Sequence, residues 1–408
     1  MTEPTDTTAP ESPPAPPLEL REPLPDVVDT PQALADSAQT IAAGSGPIAL
    51  DAERASGYRY SQRAYLIQVR REGSGSHLID PLAFDDHAPL AESFADAEWI
   101  LHAATQDLPC LADVGLRPHA LFDTELAGRL LNLPRVGLAS LVEHFLGLSL
   151  AKEFSAVDWS TRPLPEPWLV YAALDVEVLI ELRNLIDAEL VRTGKREWAA
   201  EEFEALLSFA GPPERIDPWR RTSGMHQARG RRALGLVREL WTTRDQIAEQ
   251  RDVTPGRILP DSALMEIALA APATRSDLRA LKAMRGRGPR RFLDEWQAAV
   301  DRALSLPESE LPRAAPRNDG PPPPRAWADK NPAAAERLAR GKAVIAELAE
   351  RHDVPAENLI NPGAVRQVAW DPPEVITEGA IVDALEDLGA RRWQLGLVAG
   401  PLSDAFSL

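Results

Sequence analysis

The sequence predicts an α/β domain followed by two all-α helical-bundle domains, on three observations. Short apolar runs rich in β-formers, separated by Gly-rich or polar turns, are confined to the first third of the chain, and such runs read as strands. From Asp123 onward apolar residues recur at helical spacing, through Leu126, Leu130, Leu141, Phe145, Leu174, Val178 and Leu182, the pattern of amphipathic helices. Finally, the chain repeats itself at a shift of 101 residues, Ala248-Glu249-Gln250-Arg251-Asp252-Val253 aligning with Ala349-Glu350-Arg351-His352-Asp353-Val354. In the same register Ile258-Leu259 meets Leu359-Ile360, Ala263-Leu264 meets Ala364-Val365, and Ile267-Ala268 meets Val368-Ala369. An ungapped match over roughly twenty residues that keeps apolar positions apolar marks two copies of one helical unit.

Taken in order, residues 1–30 are acidic and Pro-rich, with Arg21 the first basic residue. That composition predicts a disordered leader and no signal peptide. Residues 31–213 form the α/β domain. Strands are expected at Pro47–Leu50, Arg63–Arg70, His77–Asp80 and Glu98–His102, with helices around Leu90–Phe94 and from Asp107 onward. Residues 214–305 carry no strand candidate and several amphipathic helices, among them Arg231–Glu249 and Asp261–Ala270. A Pro-rich linker is expected at 306–330, and the diverged second copy at 331–408.

Composition limits the chemistry. The single cysteine, Cys110, excludes an internal disulfide and every cysteine-based zinc site, which fits a reducing, cytoplasmic setting and oxygen ligands. No apolar run reaches the roughly 18 residues of a membrane span. The net charge of −18 is unevenly spread: residues 31–213 carry 14 basic and 27 acidic side chains, residues 214–302 carry 18 and 12. A basic module thus sits between acidic ones, and local charge decides phosphate contact. Solvated Arg-rich helices would show the same balance.

Three stretches place carboxylates at the edge of an apolar element. Ile48-Ala49-Leu50-Asp51-Ala52-Glu53 delivers two carboxylates to one face of a strand, where like charges demand a cation or a shared proton; a solvated strand end is the plainer reading. His102-Ala103-Ala104-Thr105-Gln106-Asp107-Leu108 ends a strand and starts a helix, so Asp107 is either a ligand or an N-cap. Tyr171-Ala172-Ala173-Leu174-Asp175-Val176 sets Tyr171 and Asp175 on one helical face. His102 reads as structural, and Asp123 and Glu125 as helix-start residues favoured by the dipole. Arg162 either binds phosphate or pairs with a carboxylate, and Tyr58 and Tyr60 either stack on a terminal base or fill a β face, the latter favoured.

Together, in this order and spacing, those three stretches resemble the exonuclease motifs of the DEDD superfamily in its Tyr-containing branch. Phe122-Asp123-Thr124-Glu125-Leu126-Ala127 and Asp158-Trp159-Ser160-Thr161-Arg162-Pro163-Leu164 resemble the ribonuclease D family more narrowly, and the repeated unit resembles the helicase-and-RNase-D C-terminal (HRDC) domain. The resemblance implies a ribonuclease H-like exonuclease fold, a mixed central sheet flanked by helices, followed by two HRDC-like bundles. It implies a metal-dependent 3'-5' exoribonuclease that releases nucleoside 5'-monophosphates from RNA 3' ends, with tRNA precursors among its substrates. Asp51, Glu53, Asp107 and Asp175 would hold two divalent ions, Mg²⁺ or Mn²⁺, as all-oxygen ligation favours. In the family pattern Asp51 bridges both ions, Glu53 and Asp175 hold the one that activates water, Asp107 acts on the other through water, and Tyr171 orients the attacking water. Arg285, Arg287, Arg290 and Arg291, around a Gly-rich turn before a helix, are the candidate nucleic-acid contacts. A 3'-5' exonuclease acting on DNA and a catalytically silent nucleic-acid-binding scaffold are the alternatives.

Overall fold

In the computed structural model of the protein, which describes residues 15–151, 154–314 and 320–407, the chain joins its sheet earlier than composition suggests. Pro17 bridges Ser149, the Leu18 N–H donates to the Ser149 carbonyl at 2.8 Å, and Arg21 pairs with Glu181 at 2.7 Å. Strand β1 (Val27–Val28) then lies parallel to Leu78–Ile79. The expected disordered leader is therefore corrected for residues 15–30, and residues 1–14 lie outside the described residues. Two apolar anchors, Leu18 and Val28, were hidden by the acidic, Pro-rich composition around them.

Helix α1 (Pro31–Ala43) begins where Thr30 accepts from the Ala33 N–H and Pro31 supplies a preset φ, and it stops at Gly44. Strands β2 (Ser45–Arg54), β3 (Ala64–Glu72) and β4 (Gly75–Ile79) form an antiparallel meander. Its tight turn needs left-handed backbone at Gly73 (φ 83°) and Gly75 (φ 73°), which glycine adopts without strain. There follow α2 (Ala88–Ser93), β5 (Trp99–Leu101), α3 (Leu108–Asp113), β6 (Leu121–Asp123), α4 (Thr124–Leu130) and α5 (Leu138–Leu146). Then α6 (Glu166–Glu177), α7 (Leu179–Arg192) and α8 (Arg196–Leu206) close the domain. The mixed sheet runs β1-β4-β3-β2-β5-β6. Four strands were expected and two more exist: β1 and β6 are two and three residues long, too short for an alternation to register.

Alternation along β2 sorts its residues between two cores. Ile48 and Leu50 face Leu34 and Ile41 of α1, while Ala49 joins Ile100 and Phe122 against α7 and α8. Asp51 and Glu53 continue the Ala49 face, the one over which α6 and α7 pack.

The helical repeat is present in three dimensions. Helices α9 (Arg231–Arg251), α10 (Pro255–Ile258), α11 (Asp261–Ala270), α12 (Arg275–Ala280), α13 (Arg287–Arg290) and α14 (Leu293–Ser305) make the first unit. After α15 (Trp327–Lys330), helices α16 (Pro332–Arg351), α17 (Ala356–Leu359), α18 (Pro362–Trp370), α19 (Glu378–Glu386) and α20 (Arg392–Ser407) make the second. Helices starting at 231, 255 and 261 recur at 332, 356 and 362, the shift of 101 read from sequence. Each unit follows its first helix with a left-handed aspartate, Asp252 (φ 47°) at the cap of α9 and Asp353 (φ 50°) two residues past the end of α16. Each of these carboxylates accepts a hydrogen bond from the α/β domain: Asp252 from the Ser61 N–H at 2.8 Å, Asp353 from the Asn132 side chain at 2.7 Å. The second unit also stacks Trp393 on Trp198 of α8, ring centroids 4.6 Å apart.

The 306–330 segment departs from a free linker. Leu311 is buried, its carbonyl accepts from Arg231, and Trp327 packs on Trp370 with centroids 4.9 Å apart; residues 315–319 lie outside the described residues. Apolar side chains set among prolines were enough to dock both flanks. No helix among the described residues is long and apolar enough to cross a membrane.

Candidate active site

The three motif stretches converge on one cleft of about 360 Å³ lined by Asp51, Glu53, Asp107, Tyr171 and Asp175, with Arg54, His102 and Gln106 beside them. Strand β2 supplies Asp51 and Glu53, the turn before α3 supplies Asp107, and α6 supplies Tyr171 and Asp175 one turn apart. Carboxylate oxygens of Asp51, Glu53 and Asp175 lie within 4.8 Å of one another. Glu53, Asp107 and Asp175 are buried and Asp51 is partly exposed. Leu138, Ala139, Leu150 and Ala151 add apolar lining to the cleft.

Asp107 does occupy the N-cap position of α3, but its side chain makes no capping hydrogen bond. Asp123 does cap, and it does more. Its carboxylate accepts from Glu125 N and Leu126 N at the start of α4, and also from Ala103 N at 3.1 Å and Ala104 N at 2.8 Å. Ala103 is left-handed (φ 58°), so a buried carboxylate fixes the unusual turn that aims Asp107 into the cleft.

Electrostatics in the cleft are those of a site short of positive charge. Burial, opposed by an Ala52 N–H bond and by Arg54, leaves Asp51 pushed up to about 6. Burial first, then Asp51, Asp175 and Asp107, push Glu53 up to about 10. Burial and the Asp51 charge hold Asp107 and Asp175 well above the usual carboxylate range. Burial, then the charges of Asp175, Glu53 and Asp51, raise the Tyr171 phenol, which lies one helical turn from Asp175 on α6. The shift opposes ionisation of the phenol and favours a hydroxyl that donates. Hard oxygen donors this close, unable to ionise together without a counter-charge, fit divalent cations.

A stability signature follows. The folded pKa values of Glu53, Asp107 and Asp175 lie above their unfolded values near 4, so their contribution is full below pH ~4 and is lost as pH rises through the folded values. Burial lowers His77, and lowers His102 to about 4, which acts in the opposite sense only below pH ~6.5. With chelator present, the melting temperature should therefore fall between about pH 7 and 8.5. Glu53→Gln should flatten that fall, and Mg²⁺ or Mn²⁺ should reverse it; a melting temperature that rises over this window would contradict the account.

The remaining candidates fall outside the acid cluster. His102 meets the Thr124 hydroxyl at 2.9 Å, a structural partner as expected. Arg162 holds Asp80 through two bonds and donates to the Tyr65, Trp159 and Thr161 carbonyls, which resolves its two readings toward a carboxylate. Tyr58 packs against Tyr65, Leu66 and Leu78 of the sheet, as the favoured reading has it, whereas Tyr60 packs against the first helical unit. Arg257 of α10 lies 4.1 Å over the Tyr58 ring, and the Tyr60 hydroxyl meets Asp245 of α9 at 3.1 Å, so both join the α/β domain to the first helical unit. Short-range pattern carries no trace of a contact some 185 residues away. Arg285, Arg287, Arg290 and Arg291 are all exposed, and α13, which bears two of them, packs on α10.

Arg54 was missed altogether. Alternation would turn it away from the Asp51 and Glu53 face, but the pairing shifts from Glu53↔Leu66 to Arg54↔Ala64. A bulge there re-aims the strand end and brings the guanidinium into the cleft. No sequence signal marks that shift.

Comparison with known proteins finds matching families along the chain. Residues 25–191 match the 3'-5' exonuclease family, residues 233–300 the HRDC domain, and residues 320–406 the 3' to 5' exonuclease C-terminal domain. The last match falls on the copy expected to be HRDC-like. Ribonuclease D of Gluconacetobacter diazotrophicus is 33% identical over 308 residues, covering 72% of this chain and 74% of that one. Ribonuclease D of a Jannaschia species is 33% identical over 266 residues, 62% and 68% of the two chains. A crystal structure of a protein from Bifidobacterium adolescentis superposes with a TM-score of 0.88 at 39% identity, covering 96% and 99%. Escherichia coli RNase D, described as an exoribonuclease involved in structured RNA processing, gives 0.66 at 28% identity, covering 89% and 98%.

Proposed function

The chain belongs to the ribonuclease D family, and from that premise we propose that it is a metal-dependent 3'-5' exoribonuclease releasing nucleoside 5'-monophosphates from RNA 3' ends. The observation that carries the reading is the approach of Asp51, Glu53 and Asp175 to within 4.8 Å in a cleft that also holds Asp107 and Tyr171. These four carboxylates would hold two divalent ions, Mg²⁺ or Mn²⁺. Bound there, such ions would lower the pKa of the attacking water and offset charge developing on the phosphate. Tyr171, in the same cleft, would orient that water by its hydroxyl. The apolar lining residues Leu138, Ala139 and Leu150 would contact the terminal nucleoside. Structured RNA such as tRNA precursors with 3' extensions is the proposed substrate, met in the cytoplasm.

The test is degradation of 5'-labelled RNA and DNA oligomers with Mg²⁺, Mn²⁺ or EDTA. The reading expects a ladder shortening from the 3' end on RNA, faster than on DNA and absent in EDTA. Internal fragments, or equal activity in EDTA, would overturn it.

Within that reading the α/β domain cuts and the basic unit, residues 214–305, holds. An acidic nuclease segment needs attraction from elsewhere to receive a polyanion, and the exposed arginines around α13 supply it. Replacing Arg287, Arg290 and Arg291 together should raise KM on structured RNA and flatten the salt dependence by about one unit per lost contact. Hydrolysis of a very short oligomer should be spared. Unchanged RNA affinity and salt slope would make this unit an architectural spacer.

A further inference from the structure

Among the described residues lining the acid cleft, Arg54 is the one that is always charged, and its present contacts are poor. Its Nη2 lies 3.7 Å from an Asp107 oxygen and 3.5 Å from Gln106 Oε1, and the side chain remains 25% exposed. Five guanidinium N–H donors therefore face two long contacts. Arg162, elsewhere in the same domain, shows what a structural arginine looks like: it holds both Asp80 oxygens and three backbone carbonyls, with distances of 2.6–2.9 Å. The strand irregularity after Glu53 is what brings Arg54 to the acid face, and bulges commonly re-aim a side chain next to an active site.

We propose that Arg54 is a substrate-binding residue that grips the scissile phosphate, the group that leaves on the released nucleoside 5'-monophosphate. This rests on the exonuclease reading of the cleft. In the free protein the guanidinium leans toward Asp107 as a loose counter-charge. Once the carboxylates are engaged by cations, that role lapses, and the planar fork is left facing the one anion the cleft is shaped to receive, for which arginine geometry is suited. A single long contact to Asp107 is easily exchanged, whereas the contacts of Arg162 are not.

The test is direct binding of a nucleoside 5'-monophosphate, by calorimetry in Mg²⁺, to wild type, Arg54→Gln and Arg54→Lys, with melting curves in chelator to check folding. Arg54→Gln should weaken binding about 10- to 100-fold, the range for a hydrogen bond to a charged group, and Arg54→Lys should fall between. kcat/KM on RNA should drop in parallel. Should Arg54→Gln fail to fold, Arg54→Lys carries the test through its intermediate loss. Monophosphate affinity within twofold of wild type, with only metal affinity or the chelator melting curve altered, would make Arg54 a counter-charge and overturn the proposal. Undetectable binding to wild type would overturn it too. If wild type shortens RNA from the 3' end while the variants bind monophosphate normally, this inference fails and the exonuclease reading stands.

Discussion

Asp51→Asn is expected to abolish RNA turnover, by on the order of 10³-fold or more, while the metal-free protein melts no lower than wild type. The size follows from position: Asp51 shares its 4.8 Å cluster with Glu53 and Asp175, and its charge also raises Asp107. Removing it withdraws a ligand from cations expected to contribute several kcal/mol of transition-state stabilisation, about a factor of ten in rate for each 1.4 kcal/mol. The stability clause follows from the same repulsion. Without cations the cluster is held together against its own charge, so a neutral amide relieves Glu53, Asp107 and Asp175. A variant that loses activity because it unfolds would melt lower in chelator. A folded variant within a few-fold of wild-type activity would take Asp51 out of the chemistry.

Tyr171→Phe should cost less, about 10²- to 10⁴-fold in kcat, the range for a positioned acid-base group, with KM on RNA nearly unchanged. Burial and the charges of Asp175, Glu53 and Asp51 raise the phenol above its ordinary value, so its expected contribution is orientation, which matters in the transition state more than in the ground state. Its ring packs edge-on to Phe154, centroids 6.0 Å apart, and close to Trp159 at 6.4 Å; phenylalanine keeps both contacts. A rise in KM equal to the fall in kcat/KM would show instead that Tyr171 grips substrate.

What sequence reveals and conceals here divides along a physical line. Asp51, Glu53, Tyr171 and Asp175 were legible because strand and helix periodicity puts i, i+2 and i, i+4 on one face, and the cleft uses those two relations. The helical repeat was legible because each copy buries the same apolar positions, down to the left-handed Asp252 and Asp353. Arg54 was not legible, since it reaches the cleft through a break in periodicity. Nor was the docking of Leu18 and Val28, whose anchoring partners are remote: Ser149 for the first and β4 for the second. Asp123 was read as a structural helix-start residue, and it caps α4. Its second duty, holding the turn before Asp107, depends on β5 and β6 lying side by side, a fact of sheet order that no local pattern encodes.

The most direct measurement of the central claim is a single-turnover analysis of RNA carrying label in its 3'-terminal nucleotide, with wild type beside Asp51→Asn. Wild type with Mg²⁺ or Mn²⁺ should release the label first as nucleoside 5'-monophosphate, and Asp51→Asn should release none. Label appearing first in longer fragments or as a nucleoside 3'-monophosphate, or release by Asp51→Asn at the wild-type rate, would contradict a 3'-5' hydrolytic site built on these carboxylates.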